Sequence, residues 1–477
     1  MKINPYIFRN YDIRGIVGED LDAEKVEAIG KAYGTLLNRR KIKQAVVGYD
    51  CRVSGPELQK AFIKGLITTG VDVIDLGHIM TQMMYFGQYF YQTCGGAILT
   101  ASHNPARFNG FKLAVGFSRT TEVEEGQEIR KCVEDDAFYV SPVLGTITKG
   151  DVKDAYIKDL WKRIRLKKKF KVVLDSRNGT TGIYLPEILR GVGCEVIELN
   201  TNVDGNFPNG TPDPTDAHFL NGLGEIVKKN HADIGVAFDG DGDRIGVTDD
   251  KGHILWNDVL VAIYALEILE RFPHSNIIFN TLCTQLVPKM IKQSGGNPIM
   301  WKTGHAFIKS KIAMEHAPFG GELSGHFFFA DNSYGYDDGA FAVLRLLEIL
   351  EQKNVKFSEI YESFPKYFSS PEIKIGCPDD KKIRIVREIS ERFRADFKDA
   401  EITDETVIPG DDGCRADFDD GVIVFRYSQN GPYVTIKFEA KDEDTYLVRK
   451  KYVRRMLESY PEMIWQDELC INLDSLN

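Results

Sequence analysis

Two short segments hold the residue types best suited to covalent and ionic chemistry. Thr100-Ala101-Ser102-His103-Asn104-Pro105 sets a serine hydroxyl at the end of the apolar run that starts at Gly95. Asp239-Gly240-Asp241-Gly242-Asp243-Arg244 sets three carboxylates at alternate positions beside an arginine. Proline has no N–H with which to continue a strand, so Ser102 is delivered on a tight loop at a strand end, with His103 alongside. A serine nucleophile needs a base or electrophilic help, and a phosphoserine needs cations to neutralise it. The competing reading is a turn serine bonded to its own backbone. Asp239, Asp241 and Asp243 can converge on one side of an extended loop, and such a set selects a hard, oxygen-loving ion such as Mg²⁺. An EF-hand begins with the same alternation, but Arg244 stands where that loop needs glycine, and an apolar strand rather than a helix precedes it. Arg244 is suited to neutralise a phosphoryl oxygen beside the metal. Together the segments point to phosphoryl transfer through a phosphoserine next to a hard divalent ion.

Four further loops fit a phosphorylated sugar. Gly320-Gly321-Glu322-Leu323-Ser324-Gly325-His326 puts a carboxylate and a hydroxyl on one side of an extended loop, a pair suited to sugar hydroxyls. Lys302-Thr303-Gly304-His305 adds a cation and an imidazole, and Tyr11-Asp12-Ile13-Arg14-Gly15 one more arginine. Arg426-Tyr427-Ser428-Gln429-Asn430-Gly431 is a donor-rich loop after a strand, a reasonable phosphate cradle.

The elements that must position these loops follow from patterning. Short β-branched runs at 44–48, 71–76, 96–99, 172–175, 195–199, 233–238 and 276–279 alternate with longer amphipathic stretches, the βαβ rhythm of mixed or parallel sheets covered by helices. Such sheets keep their chemistry in loops beyond the carboxyl ends of strands, where both lead segments fall. The polar stretch Thr146 to Asp154 and the run Phe364 to Pro371 read as boundaries. Beyond the second, a charged helix from about Asp380 to Phe397, strands at 421–426 and 434–439 and a helix after Asp442 predict a small α+β domain with an antiparallel sheet. No periodicity explains residues 461–477. The basic run Lys162 to Lys171 reads as a solvated helix end rather than a nucleic-acid patch.

A chain of 477 residues exceeds one ordinary core and predicts three or four units. Hydrophobic residues at 43% and charged residues at 27% suit a soluble globular protein. No apolar run is long enough to span a bilayer, and the N-terminal residues carry no secretory signal pattern. The eight cysteines are scattered without a Cys-x-x-Cys pair, which disfavours structural zinc and a disulfide framework and fits a reducing cytoplasm. A net charge of −10 disfavours nucleic acid as a bulk partner.

On five of these segments, in the order Tyr11 to Gly15, the serine loop, the aspartate loop, the Glu322 to His326 loop and the Arg426 to Gly431 loop, spread over nearly the whole chain, the sequence resembles the α-D-phosphohexomutase superfamily, and most closely its phosphomannomutase/phosphoglucomutase branch. The resemblance implies four domains around a central cleft: three mixed α/β-sheet domains, expected at 1–150, 151–256 and 257–367, and a smaller, mobile α+β lid at 368–477. It implies that Ser102 carries the phosphate and that Asp239, Asp241 and Asp243 hold Mg²⁺ against it. Arg14, Lys112, His103 and Arg244 would surround the transferring group, and His326 or Lys112 would exchange a proton with the sugar hydroxyl. Glu322 and Ser324 would grip the sugar's 3- and 4-hydroxyls. Arg426, Ser428 and Asn430 would hold the phosphate at rest, aided by Tyr11 and by Lys302, Thr303, Gly304 and His305.

The implied activity interconverts hexose 1-phosphate and hexose 6-phosphate, mannose or glucose, through a hexose 1,6-bisphosphate, in a monomer or homodimer. The alternatives are a phosphoglucosamine mutase, a phosphatase and a non-catalytic sugar-phosphate binding relative. Four places depart from the usual pattern. Leu282-Cys283-Thr284-Gln285 lacks the two cations of Lys-Cys-(Ser/Thr)-Arg; Gln429-Asn430 replaces Gly-Thr or Asn-Thr; Gly48-Tyr49-Asp50 replaces Gly-Arg-Asp; Met80-Thr81-Gln82 replaces Pro-Thr-Pro. They bear on substrate affinity and choice rather than on the phosphoryl chemistry.

Overall fold

The β-branched runs become strands and the amphipathic stretches become helices, as periods of 2 and 3.6 dictate. The computed structural model describes residues 1–477. It divides into two units, the first of residues 1–213, 237–244 and 336–348, the second of residues 214–236, 245–335 and 349–477.

In the first unit, β1 (Asp12–Ile16), α1 (Ala23–Arg39), β2 (Gln44–Tyr49), α2 (Gly55–Thr68), β3 (Asp72–His78) and α3 (Thr81–Phe90) are followed by β4 (Gly95–Leu99), β5 (Phe108–Gly116), β6 (Arg119–Thr120), α4 (Val123–Glu134) and β7 (Ile147–Lys149). The strands form one mixed sheet in the order β1-β5-β4-β2-β3-β7, with β6 beside β5. β4, β2, β3 and β7 run parallel, and β5 runs antiparallel to β4 and β1. Every residue of β4 is buried, which is why its sequence is continuously small or apolar instead of alternating. Helices α1 and α2 meet at Gly30 and Gly65, where an added Cβ would stand 2.3 Å from the Phe62 carbonyl oxygen and 2.1 Å from that of Glu27. Only glycine lets the two backbones come so close. Fully buried Tyr33 sets its hydroxyl 2.8 Å from the Gly96 carbonyl and 2.6 Å from that of Ala114, tying α1 to β4 and β5.

The polar stretch 146–154 contains β7, an edge strand whose three residues are all exposed and therefore carry no alternating signal. α5 (Lys153–Arg163) ends inside the basic run, which continues as a loop to β8 (Lys171–Asp175). β8 pairs in parallel with β9 (Glu195–Leu199) across α6 (Leu185–Gly191).

The second unit opens with α7 (Ala217–Asn230), and along β10 (Ile234–Phe238) the chain passes into the first unit. β11 (Ile245–Thr248) and β12 (Ile254–Leu255) pair antiparallel. α8 (Asn257–Arg271), β13 (Asn276–Asn280), α9 (Leu286–Gln293), β14 (Asn297–Trp301), α10 (His305–Glu315), β15 (Phe319–Gly321) and β16 (Phe327–Phe329) follow. Their sheet has the order β14-β13-β15-β16, parallel except for the last pair. After α11 (Gly339–Lys353), whose residues up to 348 belong to the first unit, and α12 (Phe357–Ser363) come β17 (Phe368–Ser369), β18 (Ile373–Gly376), α13 (Asp379–Asp396), β19 (Glu401–Asp404), β20 (Gly413–Phe418), β21 (Gly421–Tyr427), β22 (Tyr433–Ala440) and α14 (Glu443–Glu458). This last sheet is antiparallel throughout, as expected, and α13 buries Ile385, Ile389 and Phe393 in a core with Phe425 and Ile436. No helix is long and apolar enough to cross a membrane.

Residues 461–477, opaque in sequence, are stitched to this domain. Ile464 and Ile471 bridge to Gly376 and Lys374 of β18, and Leu476 joins the core. Asn472, at φ +59°, donates from Nδ2 to the carbonyls of Thr215 (2.9 Å) and Glu372 (2.7 Å) and accepts from the Ala217 N–H at 2.9 Å. Asn472→Ala leaves three backbone groups without these partners and is expected to destabilise the second unit by about 1–3 kcal/mol. Urea unfolding checks this, the expected outcome being a lower midpoint with an unchanged slope.

Candidate active site

Strand register assembles the first part of the site. Asp12 of β1 lies opposite Lys112 of β5, and Arg14 opposite Gly110. Side chains alternate along a strand, so Asp12, Arg14 and Lys112 project from one face. Arg14 donates from Nη2 to Asp12 Oδ2 at 2.8 Å and from Nη1 to the Thr100 carbonyl. β4, which places Ile98 opposite Lys112, runs directly into Thr100 and the serine loop.

Ser102 adopts a left-handed backbone, φ +49°, unusual for a residue with a side chain. The loop is held there from outside. Its N–H donates to Thr100 Oγ1 at 2.8 Å. Arg52, fully buried, donates from Nη2 to the carbonyls of Ser102 (3.0 Å) and Asn104 (2.6 Å), and from Nη1 to those of Pro105 (2.8 Å) and Phe108 (2.9 Å). One guanidinium thus fixes four carbonyls, and Asp50 is its counter-ion at 3.3 Å.

β10 leads into the aspartate loop, where two glycines are sterically required. A Cβ on Gly240 would come 2.6 Å from the Ser102 carbonyl oxygen, and Gly242, at φ +81°, would drive one to 2.6 Å from Thr181 Cγ2. The loop therefore presses directly on the serine. Ser102 Oγ donates to Asp239 Oδ2 at 2.6 Å and accepts from Arg244 Nη2 at 2.9 Å, while Arg244 Nε holds the same Asp239 oxygen at 2.9 Å. The nucleophile candidate is poised between an anion and a cation. Asp241 Oδ2 accepts from Thr81 Oγ1 (2.6 Å), Thr100 Oγ1 (3.0 Å) and Lys112 Nζ (2.9 Å), and Lys112 also contacts Asp243. Gln82, one of the departures from the usual pattern, donates to the Gly242 carbonyl at 3.0 Å and so supports this loop.

The electrostatics are those of a dry, compensated cluster. All three aspartates are fully buried. Burial, reinforced by Asp241, pushes the Asp239 carboxyl up to about 7. Burial opposes ionisation of Asp241 as well, but Lys112 and the Thr81 hydroxyl overcome it and hold that carboxyl well below the usual range. Burial likewise works against the Lys112 ammonium, and Asp241 with Asp243 outweighs it, so its pKa stands well above an ordinary lysine's. Arg244 is raised in the same way, by Asp239 and Asp213 against burial. One ligand oxygen from each of the three aspartates falls within 4.8 Å of the others, and buried Asp241 Oδ1 has no hydrogen-bond partner. A hard oxygen donor set with an unsatisfied inward oxygen fits a divalent cation of the Mg²⁺ type.

His103, half-buried, has Nδ1 3.3 Å from Ser102 Oγ and Nε2 3.9 Å from Asp213 Oδ2. Tyr11 is buried at the head of β1. The first unit thus brings together Arg14, Ser102, His103, Lys112, Asp239, Asp241, Asp243 and Arg244.

The remaining expected residues lie in the second unit. Glu322, buried, accepts from the Gly304 N–H at 2.8 Å, which joins the two loops that sequence separates. Asn280 at the end of β13 braces both, accepting from the Leu323 N–H at 3.2 Å and donating to Thr303 Oγ1 at 3.2 Å. The rings of His305 and His326 stand 5.6 Å apart, the Lys302 ammonium 4.1 Å from the Phe307 ring centroid, and Ser324 half-buried in the turn. In the C-terminal loop Arg426 pairs with buried Asp412, to which Gln429 Nε2 also donates at 3.0 Å. Ser428 Oγ accepts from the N–H groups of Asn430 (3.0 Å) and Gly431 (3.1 Å), and Lys382 Nζ donates to the carbonyls of Ser428 (2.7 Å) and Gly431 (2.8 Å). Arg52, Thr81, Asn280, Lys382 and Asp412 were missed from sequence. Arg52 left a trace as a second charge just beyond the strand end at Asp50, and Thr81 stood in the turn already noted as a departure from the usual pattern.

Known proteins share this arrangement of segments. The chain matches the models of phosphoglucomutase/phosphomannomutase α/β/α domain I over residues 5–140, domain II over 154–252 and domain III over 256–368. It belongs to the α-D-phosphohexomutase superfamily, in its phosphoglucomutase/phosphomannomutase branch. It is 39% identical over 459 residues to a phosphomannomutase/phosphoglucomutase of Pseudomonas putida, covering 96% of each chain. It is 37% identical over 462 residues to a phosphoglucomutase of Neisseria gonorrhoeae, covering 96% of this chain and 98% of the relative. A crystal structure of a phosphoglucomutase/phosphomannomutase family protein from Burkholderia thailandensis superposes with a TM-score of 0.85 at 35% identity, over 96% of this chain and 98% of the other. The fold of this phosphohexomutase is accordingly the four-domain α/β fold of its superfamily, with three α/β domains and a C-terminal α+β domain.

Charge balance in the cluster is directly testable. Lys112→Met keeps the methylenes but leaves Asp241 and Asp243 without their ammonium, and in divalent-free buffer it is expected to cost about 3–5 kcal/mol of stability. Adding Mg²⁺ is expected to restore part of that loss, since a cation among the carboxylates replaces the missing charge. Guanidinium unfolding in EDTA and in excess Mg²⁺ measures both effects.

Proposed function

We propose that this phosphohexomutase interconverts the 1- and 6-phosphates of mannose and glucose through a phosphate carried on Ser102. It is an isomerase of hexose phosphates, the activity its near full-length relatives are named for. The observation that carries the covalent reading is the Ser102 hydroxyl, 2.6 Å from Asp239 and 2.9 Å from Arg244 on a clamped left-handed backbone.

In the phosphorylated enzyme the free hydroxyl of a hexose 1-phosphate attacks the phosphorus on Ser102. The new O–P bond forms as the Ser102 Oγ–P bond breaks, the hydroxyl proton passes to a base, and a hexose 1,6-bisphosphate results. The sugar turns, presents its other phosphate to Ser102 Oγ, and the reverse transfer leaves hexose 6-phosphate and phosphoserine. Phosphoryl transfer of this kind is driven by positioning and by charge stabilisation on the equatorial oxygens. Arg14, Lys112, His103 and Arg244 supply that charge. Asp239, Asp241 and Asp243 would hold Mg²⁺, whose contribution is further neutralisation of the phosphoryl oxygens. His326 or Lys112 takes and returns the hydroxyl proton, and the pairing of the Lys112 ammonium with Asp241 and Asp243 favours His326. Glu322 and Ser324 read the 3- and 4-hydroxyls. No residue is assigned to the 2-hydroxyl, the only centre at which mannose and glucose differ. Arg426, Ser428 and Asn430, with Tyr11 and Lys302 to His305, bind the phosphate at rest.

Phosphorus NMR of the protein with Mg²⁺, a trace of glucose 1,6-bisphosphate, and mannose 1-phosphate or glucose 1-phosphate is expected to show conversion to the 6-phosphates. Inorganic phosphate in place of the 6-phosphates would indicate a phosphatase and overturn the reading. Ser102→Ala is expected to abolish turnover and the phosphate seen by intact mass.

Arg52→Lys retains one charge but cannot hold four carbonyls. It is expected to lower kcat by about a hundredfold with KM little changed, as a small displacement of a nucleophile does. Steady-state kinetics with a thermal unfolding control separates this from loss of fold.

A further inference from the structure

Strand register sets Arg426 beside the residue that precedes β20. Arg426 lies opposite Gly413 in the β20–β21 ladder, and the next N–H along, that of Tyr427, donates to the Asp412 carbonyl at 2.9 Å. A Cβ on Gly413 would stand 2.8 Å from the Phe425 carbonyl oxygen and 3.0 Å from Arg426 Cβ, so glycine leaves the arginine room to lie there. The Asp412 carboxylate meets it: Arg426 donates from Nε to Oδ1 at 3.1 Å and from Nη2 to Oδ2. Gln429, one of the departures from the usual pattern, donates from Nε2 to the same Oδ2 at 3.0 Å. Asp412 is 1% exposed, and Arg426 and Gln429 6% each. Asp412 is itself held, its own N–H donating to Asp411 Oδ1 at 2.9 Å. Beneath the loop Lys382 donates to the carbonyls of Ser428 and Gly431 and to Asp379 Oδ1 at 2.6 Å.

A guanidinium sets its donors in one rigid plane. When a carboxylate engages the Nε–Nη2 edge, that plane is fixed, and an incoming phosphate is met along the outer Nη edge. An arginine without such a partner keeps many rotamers, and binding must order them. The carboxylate also works in the opposite sense, since it offsets the charge that attracts a phosphate. Burial decides between the two effects. Away from water, a guanidinium deprived of an acceptor turns to find another and loses its alignment. We propose that Asp412 is the positioning residue of the phosphate loop, fixing the plane of Arg426 and turning the Gln429 amide inward, so that the phosphate at rest is received by Arg426 and not by Gln429. This rests on the reading that Arg426 binds that phosphate. The departure at 429 is then a second strap on Asp412, not a change of phosphate ligand.

Calorimetric titration of glucose 1,6-bisphosphate into Ser102→Ala protein, which cannot take up the phosphate, measures the loop without turnover. Adding Asp412→Asn, which keeps the shape and removes the charge, is expected to weaken binding about tenfold. In an Arg426→Lys background, where no plane is left to orient, the same change is expected to shift affinity by less than about twofold. In the otherwise unaltered chain Asp412→Asn is expected to raise KM for glucose 1-phosphate about tenfold with kcat within about twofold, because the phosphate at rest is bound alike in the ground and transition states. A merely structural defect would lower the active fraction, and so kcat, and leave KM where it was. Gln429→Leu is expected to raise KM about threefold, and it decides the matter if thermal unfolding shows that Asp412→Asn does not fold. Unchanged or tighter binding by Asp412→Asn overturns the proposal, and so does an equal loss in the Arg426→Lys background. An unchanged KM in Gln429→Leu, or a loss as large as that of Arg426→Lys, overturns the inward strap. Absence of turnover in the wild-type chain counts against the mutase reading alone, since the calorimetric comparison needs none.

Discussion

The site is organised around the cost of burying three carboxylates on one six-residue loop. Asp239, Asp241 and Asp243 are fully out of water, where an uncompensated charge is prohibitively unfavourable. Lys112 and Arg244 each engage carboxylates of this loop, and Arg14 stands on the same strand face as Lys112. Compensation of this kind requires exact registry between strands far apart in sequence. The antiparallel pairing of β1 with β5 and of β5 with β4 provides it. Because the cluster is already compensated, a divalent ion and a phosphate fit it together, their charges largely offsetting each other.

The same constraint explains why the serine sits in a strained backbone. Gly240 lets the aspartate loop approach the Ser102 carbonyl, and Arg52 gathers the carbonyls that the tight turn leaves pointing inward. The left-handed conformation costs about 1 kcal/mol or more in isolation. It persists because hydrogen bonds on both sides over-determine it. The reward is directional, since Oγ has a carboxylate acceptor on one side and a guanidinium donor on the other, the surroundings in which a phosphoryl group is both held and easily passed on.

Buried charge also shapes the second unit, to a different end. Asp258, Lys437, Arg415, Asp417 and Glu439 line a seam, and burial raises the Glu439 carboxyl against the pull of Lys437. There the donors go to backbone carbonyls and neighbouring carboxylates, as Arg415 does to the carbonyls of Thr281 and Cys283 and to Asp417.

The element types and the antiparallel C-terminal sheet were legible in the sequence because they are local, resting on periodicity and on proline and glycine placement; the superfamily was legible through resemblance to known motifs, and the serine and aspartate loops stood out by their residue types and spacing. It also showed that four segments were unusual, without showing what they do. What only the tertiary structure decided are the long-range partners: Arg52 under the serine loop, Thr81 and Gln82 on the aspartate loop, Asn280 between the sugar loops, Lys382 beneath the C-terminal loop and Asn472 in a tail with no periodicity. An arginine or asparagine has no strong positional preference of its own. Its role is set by which carbonyls a fold leaves unpaired, and those are known only once strands from distant parts of the chain have been brought side by side.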